Sequence, residues 1–257
     1  MKKTQTKKIA NQYDNDNYNY LHYWRGRSYE HSAEEMAIRR LLKGKHFSHA
    51  ADIGGGYGRL CILLSQFSDE VTLAEPSKAQ LDIAKSYLKD YPKIHQVKTQ
   101  ADALAFKDKS LDLITMIRVM HHLPDPSAEF SEIYRALKDD GYFILEMANY
   151  AHAVNRMKHF VKLKKLPTQP VDIRSKKNQR EEEVAFVNHN PKTVIKQLAH
   201  AGFKVEKVLS VSNLRSSKAK KIVPKTVLLS LEKIMQPTLA STYFGPSIFF
   251  LVKKATI

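Results

Sequence analysis

The sequence predicts an α/β fold in which seven strands alternate with helices to form a doubly wound, mainly parallel sheet covered on both faces. Three observations carry this. Short apolar runs recur between segments whose apolar residues repeat at helical spacing. The first run leads into Asp52-Ile53-Gly54-Gly55-Gly56-Tyr57-Gly58-Arg59, a glycine turn followed by an apolar helical pattern (Leu60, Ile62, Leu63, Leu64, Phe67). Finally, Asp52, Glu75, Asp102, Arg118 and Glu146 all fall at the ends of predicted strands or just beyond. Open parallel sheets bind ligands at that edge.

Taken in order, residues 1–20 read as an arm rich in Lys, Asn and Tyr, leading to a dense cluster with Tyr23, Trp24, Arg25 and Arg27. A helix is expected over residues 29–42, closed by Lys43-Gly44-Lys45. Residues 50–53 form the first strand and 59–67 its helix. Residues 71–75 form the second strand, and Ser77 caps a helix through Leu88. Strands follow at 94–98 and 111–117. Pro126 and Ser127 open a helix through Leu137, and Gly141 leads into a fifth strand at 142–147. Residues 151–190 depart from a minimal alternation. Val154, Met157, Phe160, Val161 and Leu163 approximate an apolar helix face among Arg156, Lys158, Lys162, Lys164 and Lys165. Such a helix packs on its own domain, lies on a membrane surface or covers a substrate; the first is the expectation. Residues 167–180 are polar and read as a mobile loop. Asn190-Pro191 starts a further helix ended by Gly202, before a sixth strand at 203–210. A basic loop at 213–225, a helix at 227–235 and a last strand at 247–252 complete the chain. Neither repeats nor a second core is evident. The organisation expected is an arm and cap helix over 1–45 and one domain over 46–257, with insertions at 151–190 and 211–243.

The glycine loop discriminates between two ligand classes. A dinucleotide fingerprint places its third glycine three residues after the second. Counted from Gly56 that position is Arg59, and the third glycine instead comes early, at Gly58. Asp-x-Gly-x-Gly-x-Gly resembles motif I of the class I S-adenosylmethionine (SAM) dependent methyltransferases. Glu75, at the end of the second strand, sits where that family's carboxylate accepts both ribose hydroxyls. Asp102-Ala103, after the third strand, resembles the acidic motif that contacts the adenine amino group. His121-His122-Leu123-Pro124-Asp125-Pro126 is similar to the family's loop after the fourth strand, and the layout looks like the group that contains ubiquinone and menaquinone methyltransferases. The resemblance covers about residues 45–150. It implies a Rossmann-like fold with an antiparallel last strand between the fifth and sixth, and SAM as cofactor, released as S-adenosylhomocysteine. It implies Asp52, Gly54, Gly56, Gly58, Glu75, Asp102, Ala103 and Arg118 as cofactor-binding residues. It further implies an N-terminal helix capping the cofactor and a substrate lid in residues 151–190; Tyr23 or Trp24 could pack on the cofactor and Arg25 or Arg27 pair with its carboxylate, or these aromatics only anchor the arm to the core.

Composition narrows the partners. One cysteine, Cys61, fits a reducing compartment and forms no internal disulfide. No stretch approaches the roughly 18 apolar residues of a membrane span, and no signal-peptide core follows the basic start, so the expected location is cytoplasmic. The net charge of +16 is unevenly placed: residues 1–150 hold 21 Lys/Arg against 20 Asp/Glu, and residues 151–257 hold 21 against 6. The basic part suits nucleic acid, an anionic membrane surface or an acidic substrate, or is a solvated surface with no partner.

Methyl transfer from a sulfonium is an in-line displacement that needs positioning and exclusion of water, and a base only where the acceptor must lose a proton. His121 and His122 are the candidate bases; the alternative is a structural role for both. Glu146 could orient an acceptor or receive backbone hydrogen bonds. Tyr13, Tyr18 and Tyr150 could form an aromatic box around the cationic methyl group. The histidines lack zinc-type spacing, so no metal is expected. The loop also lacks the Gly-Lys-Ser/Thr ending of a phosphate-binding loop. The leading reading is a methyltransferase acting on a small molecule, lipid-like or quinone-like. The alternatives are a nucleic-acid methyltransferase using the basic C-terminal part, without the Asn/Asp-Pro-Pro-aromatic tetrad of base methylation, and an inactive SAM-binding partner subunit.

Overall fold

The computed structural model describes residues 20–180 and 184–255. Tyr13, Tyr18 and most of the N-terminal arm lie outside the described residues. Two helices come first, α1 (Tyr20–Arg25) and α2 (Ser28–Leu41). The alternation then runs β1 (Phe47–Ile53), α3 (Cys61–Leu64), β2 (Ser68–Glu75), α4 (Lys78–Tyr87), β3 (Ile94–Lys98) and β4 (Leu111–Met116). After a single 3-10 turn at Met120–His122 come α5 (Ser127–Ala136), β5 (Leu137–Ala148) and α6 (Ala153–Val161). The insertion contributes β6 (Val171–Asp172), α7 (Lys176–Arg180) and β7 (Val187–Asn188). The chain closes with α8 (Pro191–His200), β8 (Phe203–Val211), α9 (Ser217–Ile222), α10 (Lys225–Thr238) and β9 (Ser247–Lys254).

Seven strands make one sheet in the order β3-β2-β1-β4-β5-β9-β8. All neighbouring pairs are parallel up to β5, and β9 runs antiparallel between β5 and β8, as expected. The central strands are buried on both faces, which is why β1, β2, β4 and β5 read as continuous apolar runs rather than as alternation. One core lies on each face: Ile38, Leu63, Leu73 and Phe249 on one, Ile114, Phe130, Phe143 and Phe250 on the other. Among the described residues no helix is long and apolar enough to cross a membrane.

Four local expectations are corrected. The helix after the glycine loop spans only Cys61–Leu64, because Gly54 to Leu60 are used in consecutive turns. The fifth strand begins at Leu137, through Gly141, where Leu137 crowds the space a side chain would need. Residues 167–180 are not a structureless loop: β6 pairs antiparallel with β7, and α7 precedes the undescribed residues 181–183. The fourth correction concerns α6, which does not bury its apolar face. None of its residues is buried, and Val154, Met157, Phe160 and Val161 are exposed.

Candidate functional site

The site is built at the C-terminal edge of β1, β2 and β4, where the strand order reverses between β1 and β4 and leaves a crevice. The chain leaves β1 through Gly54, whose φ of +65° lies in the left-handed region and whose amide donates to the Ala74 carbonyl at 2.7 Å. A Cβ there would lie 2.5 Å from Val119 Cγ2, so only glycine brings the backbone this close to the loop after β4. The next turn is held from β2. Glu75 accepts the Gly56 amide on Oε2 and the Ser77 amide on Oε1, both at 2.9 Å.

These residues line a cavity of about 570 Å³ together with Pro76, Gln80, Thr99, Asp102, Arg118, His122 and Glu129. Its apolar wall comes from Val119, Leu123, Pro124, Val184 and Ala185, the last two from the insertion. That volume and mixture of apolar wall with a few polar groups suit a cofactor-sized ligand. Of the expected cofactor-binding residues, Gly54, Gly56, Glu75, Asp102 and Arg118 come together on this cavity. Asp52, Gly58 and Ala103 do not line it. Asp52 lies beneath the loop, where Oδ1 accepts from Thr115 Oγ1 at 2.6 Å, and burial pushes its carboxyl up to about 6 against the pull of Thr115, Arg59 and Cys61. Gly58 packs on Leu88 at a φ of +83°, and Ala103 turns back on Gln100.

Two polar groups on the cavity were not singled out from the sequence. Gln80 is buried, and among the described residues neither its side-chain oxygen nor its nitrogen has a hydrogen-bond partner. Ser77-Lys78-Ala79-Gln80 has the spacing of a capping box, in which Gln80 would reach back to the Ser77 amide. Ser77 Oγ does accept the Gln80 amide at 3.2 Å, but Glu75 takes the Ser77 N–H, so the Gln80 side chain is left to the cavity. Glu129, in the first turn of α5, has Oε2 buried without a partner among the described residues. Burial, then the nearby Asp102 and Asp125 charges, hold its carboxyl above the ordinary value. An orphaned amide and an orphaned carboxylate oxygen facing a cavity are the mark of a site whose ligand supplies donors and acceptors. SAM, with its adenine, ribose and charged amino-acid end, fits this set.

The loop after β4 is strained and anchored. Arg118 has a φ of +60°, uncommon for a non-glycine residue, and its amide donates to Glu146 Oε2 at 2.9 Å. Glu146 Oε1 accepts from Ser247 Oγ, so this carboxylate receives backbone and hydroxyl bonds. The Arg118 guanidinium binds Glu34 of α2 at 2.5 Å, and Arg59, just past the glycine loop, binds the other Glu34 oxygen at 2.6 Å. Trp24 stacks beneath Arg59 at 3.7 Å and Arg118 at 4.9 Å. Arg27 lies over Tyr23. α1 and α2 are thus pinned to the glycine loop and to the loop after β4, and Tyr23, Trp24, Arg25 and Arg27 do not line the cavity.

The two histidines differ. His122 lines the cavity, and its Nδ1 lies 2.9 Å from the Ala185 carbonyl. A carbonyl only accepts, so Nδ1 carries the proton and Nε2 is the basic nitrogen. Burial lowers the His122 pKa, partly offset by that hydrogen bond. His121 is buried beside it, stacked 4.0 Å from His122 and 4.4 Å from Phe186. Burial and the neighbouring His122, Arg118 and His189 push it well below the ordinary histidine range. His189 Nε2 bonds the Met120 carbonyl at 3.0 Å, so residues 184–189 grip the whole turn. Tyr150 sits against His159 rather than on the cavity.

Comparison with known proteins agrees with this arrangement. Residues 51–145 match the family model described as a methyltransferase domain. An uncharacterized methyltransferase, YcgJ, of Bacillus subtilis is 32% identical over 97 residues, 37% of this chain and 38% of that one. The ubiquinone/menaquinone biosynthesis C-methyltransferase UbiE of Pseudoalteromonas translucida is 29% identical over 143 residues, 52% of this chain and 56% of that one. The chain spans about half or less of the length of these curated relatives. A crystal structure from Thermotoga maritima, described as a SAM-dependent methyltransferase and possible histamine N-methyltransferase, superposes with a TM-score of 0.63 at 20% identity. It covers 91% of this chain and 94% of its own.

Proposed function

We propose that this chain, whose residues 51–145 form a methyltransferase domain of the class I SAM-dependent type, transfers a methyl group from SAM to a small-molecule acceptor of lipid-like or quinone-like character. The observation that carries the reading is the cavity at the sheet edge, where the glycine loop, Glu75 and Asp102 converge with the unpartnered Gln80 amide. The acceptor class rests on the relatives named for quinone biosynthesis and on the apolar wall of Val119, Leu123, Pro124, Val184 and Ala185.

When bound, SAM supplies an activated methyl on a sulfonium, so the protein's part is to bind, orient and exclude water. Glu75 accepts hydroxyl donors while keeping the Gly56 turn closed. Asp102 and Glu129 accept hydrogen bonds from amino N–H groups, and Gln80 offers one donor group and one acceptor. Gly54 and Gly56 permit close approach of the backbone. Asp52, Gly58 and Ala103 shape the loops behind these contacts, and Arg118 ties the floor of the site to α2 through Glu34. Within the insertion at 151–190, Val184 and Ala185 act as the lid that meets the ligand. His122 takes the proton of an acceptor that must lose one: its Nδ1–H is committed to Ala185, and its lowered pKa keeps Nε2 unprotonated at neutral pH. His121 is a positioning residue that stacks behind it.

Calorimetric titration with SAM and S-adenosylhomocysteine, beside NADH, tests the reading. Binding of both SAM forms, abolished in Gly56→Arg and weakened in Glu75→Ala, is the expected result. Labelled methyl should then pass to quinone precursors or lipid extracts rather than to RNA. A folded protein that binds NADH instead, or neither SAM form, would overturn the proposal.

A further inference from the structure

The helix α6 is inside out. At about 100° per residue, Val154, Met157, Phe160 and Val161 fall within one arc of roughly 120°, and this arc faces solvent. Phe160 is 75% exposed, and Leu163, just beyond the helix end, is 93% exposed. The polar side holds the helix to the domain. Asn155 Nδ2 donates to the Tyr150 carbonyl at 2.9 Å, and His159 lies against Tyr150 and the Lys165 carbonyl. An apolar face of this size is not left to water without a partner.

Charge identifies the partner. Arg156 and Lys158 border the arc on opposite sides, Lys162, Lys164 and Lys165 follow it, and no Asp or Glu occurs between Glu146 and Asp172. A second copy of the chain would oppose cation to cation. A convex single helix also offers no groove for a protein partner, whereas lipid conforms to it without a matched shape. The location agrees. α6 follows the C-terminal end of β5, on the sheet edge where the glycine loop opens. α9, with Lys218, Lys221 and an Ile222 that is 82% exposed, follows the end of β8, which runs parallel to β5 through their shared antiparallel neighbour β9.

We propose that α6 is an interfacial helix that docks the protein on an anionic lipid surface, its apolar arc entering the acyl boundary and its flanking cations meeting acidic headgroups. This extends the enzymatic reading and does not depend on it. Burial of the arc provides the apolar part of the attraction. Each cation near an acidic surface contributes about fivefold in affinity at moderate salt.

The full chain is mixed with vesicles of phosphatidylcholine alone and of phosphatidylcholine with about 30% phosphatidylglycerol, and flotation is measured. The expected result is binding at least tenfold stronger to the anionic vesicles. Lys158→Gln with Lys162→Gln should weaken it by roughly 25-fold, and Met157→Asp with Phe160→Asp should abolish it. All four side chains are exposed, so the melting temperature and SAM titration of these variants should match the wild type. Equal binding to both vesicles, or retention by the Met157→Asp/Phe160→Asp variant, would overturn the proposal. So would a wild-type dimer without vesicle binding that the same variant makes monomeric, or capture by RNA with none by vesicles.

Discussion

Removing the Glu34 carboxylate is the sharpest test of how the cap is coupled to the site. Glu34 has no solvent exposure and is shared by two guanidinium groups, Arg59 at 2.6 Å and Arg118 at 2.5 Å. Burial alone would raise its pKa, but Arg118 and then Arg59 outweigh burial and hold the carboxyl below its ordinary value. In Glu34→Ala both cations stay where they are, buried over Trp24, without their counter-charge. Breaking a buried pair from one side destabilises by about 3–5 kcal/mol, a large fraction of the roughly 5–15 kcal/mol that holds a domain together. Two stranded cations place the expected loss at the upper end. The effect should reach the cofactor, because Arg118 lines the cavity in a left-handed conformation. Urea unfolding gives the stability change at constant m, and SAM titration gives the affinity change. Glu34→Gln, which keeps an acceptor but no charge, should lie between wild type and Glu34→Ala. Adding Arg59→Met to Glu34→Ala should recover part of the loss, since it removes one stranded cation. A loss below about 1 kcal/mol for Glu34→Ala, or no recovery in the double variant, would refute the reasoning.

Three further outcomes follow from buried groups. Asp52 has a folded pKa of about 6 against an ordinary 3.8, so its contribution to stability is present at low pH and is lost as pH rises through 6; Asp52→Asn should gain on the wild type between pH 4 and 6, by up to about 3 kcal/mol above that window, read from urea midpoints at each pH. His121, His122 and His189 are all lowered by burial, which reverses the sign. Their stabilisation is full above about pH 6.5 and declines as pH falls through their folded values, so midpoints should drop from pH 7 to 5, less steeply in His189→Gln, which keeps a donor for the Met120 carbonyl. Gln80→Leu removes a side chain with no hydrogen-bond partner among the described residues, so the melting temperature should hold or rise while the SAM dissociation constant increases by roughly five- to thirtyfold; unchanged SAM affinity would remove Gln80 from the site.

What the sequence made legible follows from how local each signal is. The sheet was readable because strands buried on both faces are continuous apolar runs, and because turns of Gly54, Gly56 and Gly58 punctuate them. Glu75 was readable because a carboxylate closing an apolar strand has few other uses. Gln80 was not, since Ser-x-x-Gln spells a helix cap, and only the competing claim of Glu75 on the Ser77 amide releases the side chain. Glu34 was not, since an acid nearly two turns into an amphipathic helix reads as solvated, and its partners Arg59 and Arg118 lie 25 and 84 residues away. Asp52 differs from Glu75: its motif position suggests ligand contact, yet the carboxylate lies beneath the glycine loop, bonded to Thr115, and does not line the cavity. For α6 the pattern revealed an apolar face but not its direction. Periodicity states that two sides of a helix differ; which one turns inward is decided by anchors such as Asn155 and His159, whose partners belong to the tertiary structure. The same face that sequence reasoning assigns to the core by default therefore becomes, once those anchors are known, the surface with most to gain from a lipid boundary.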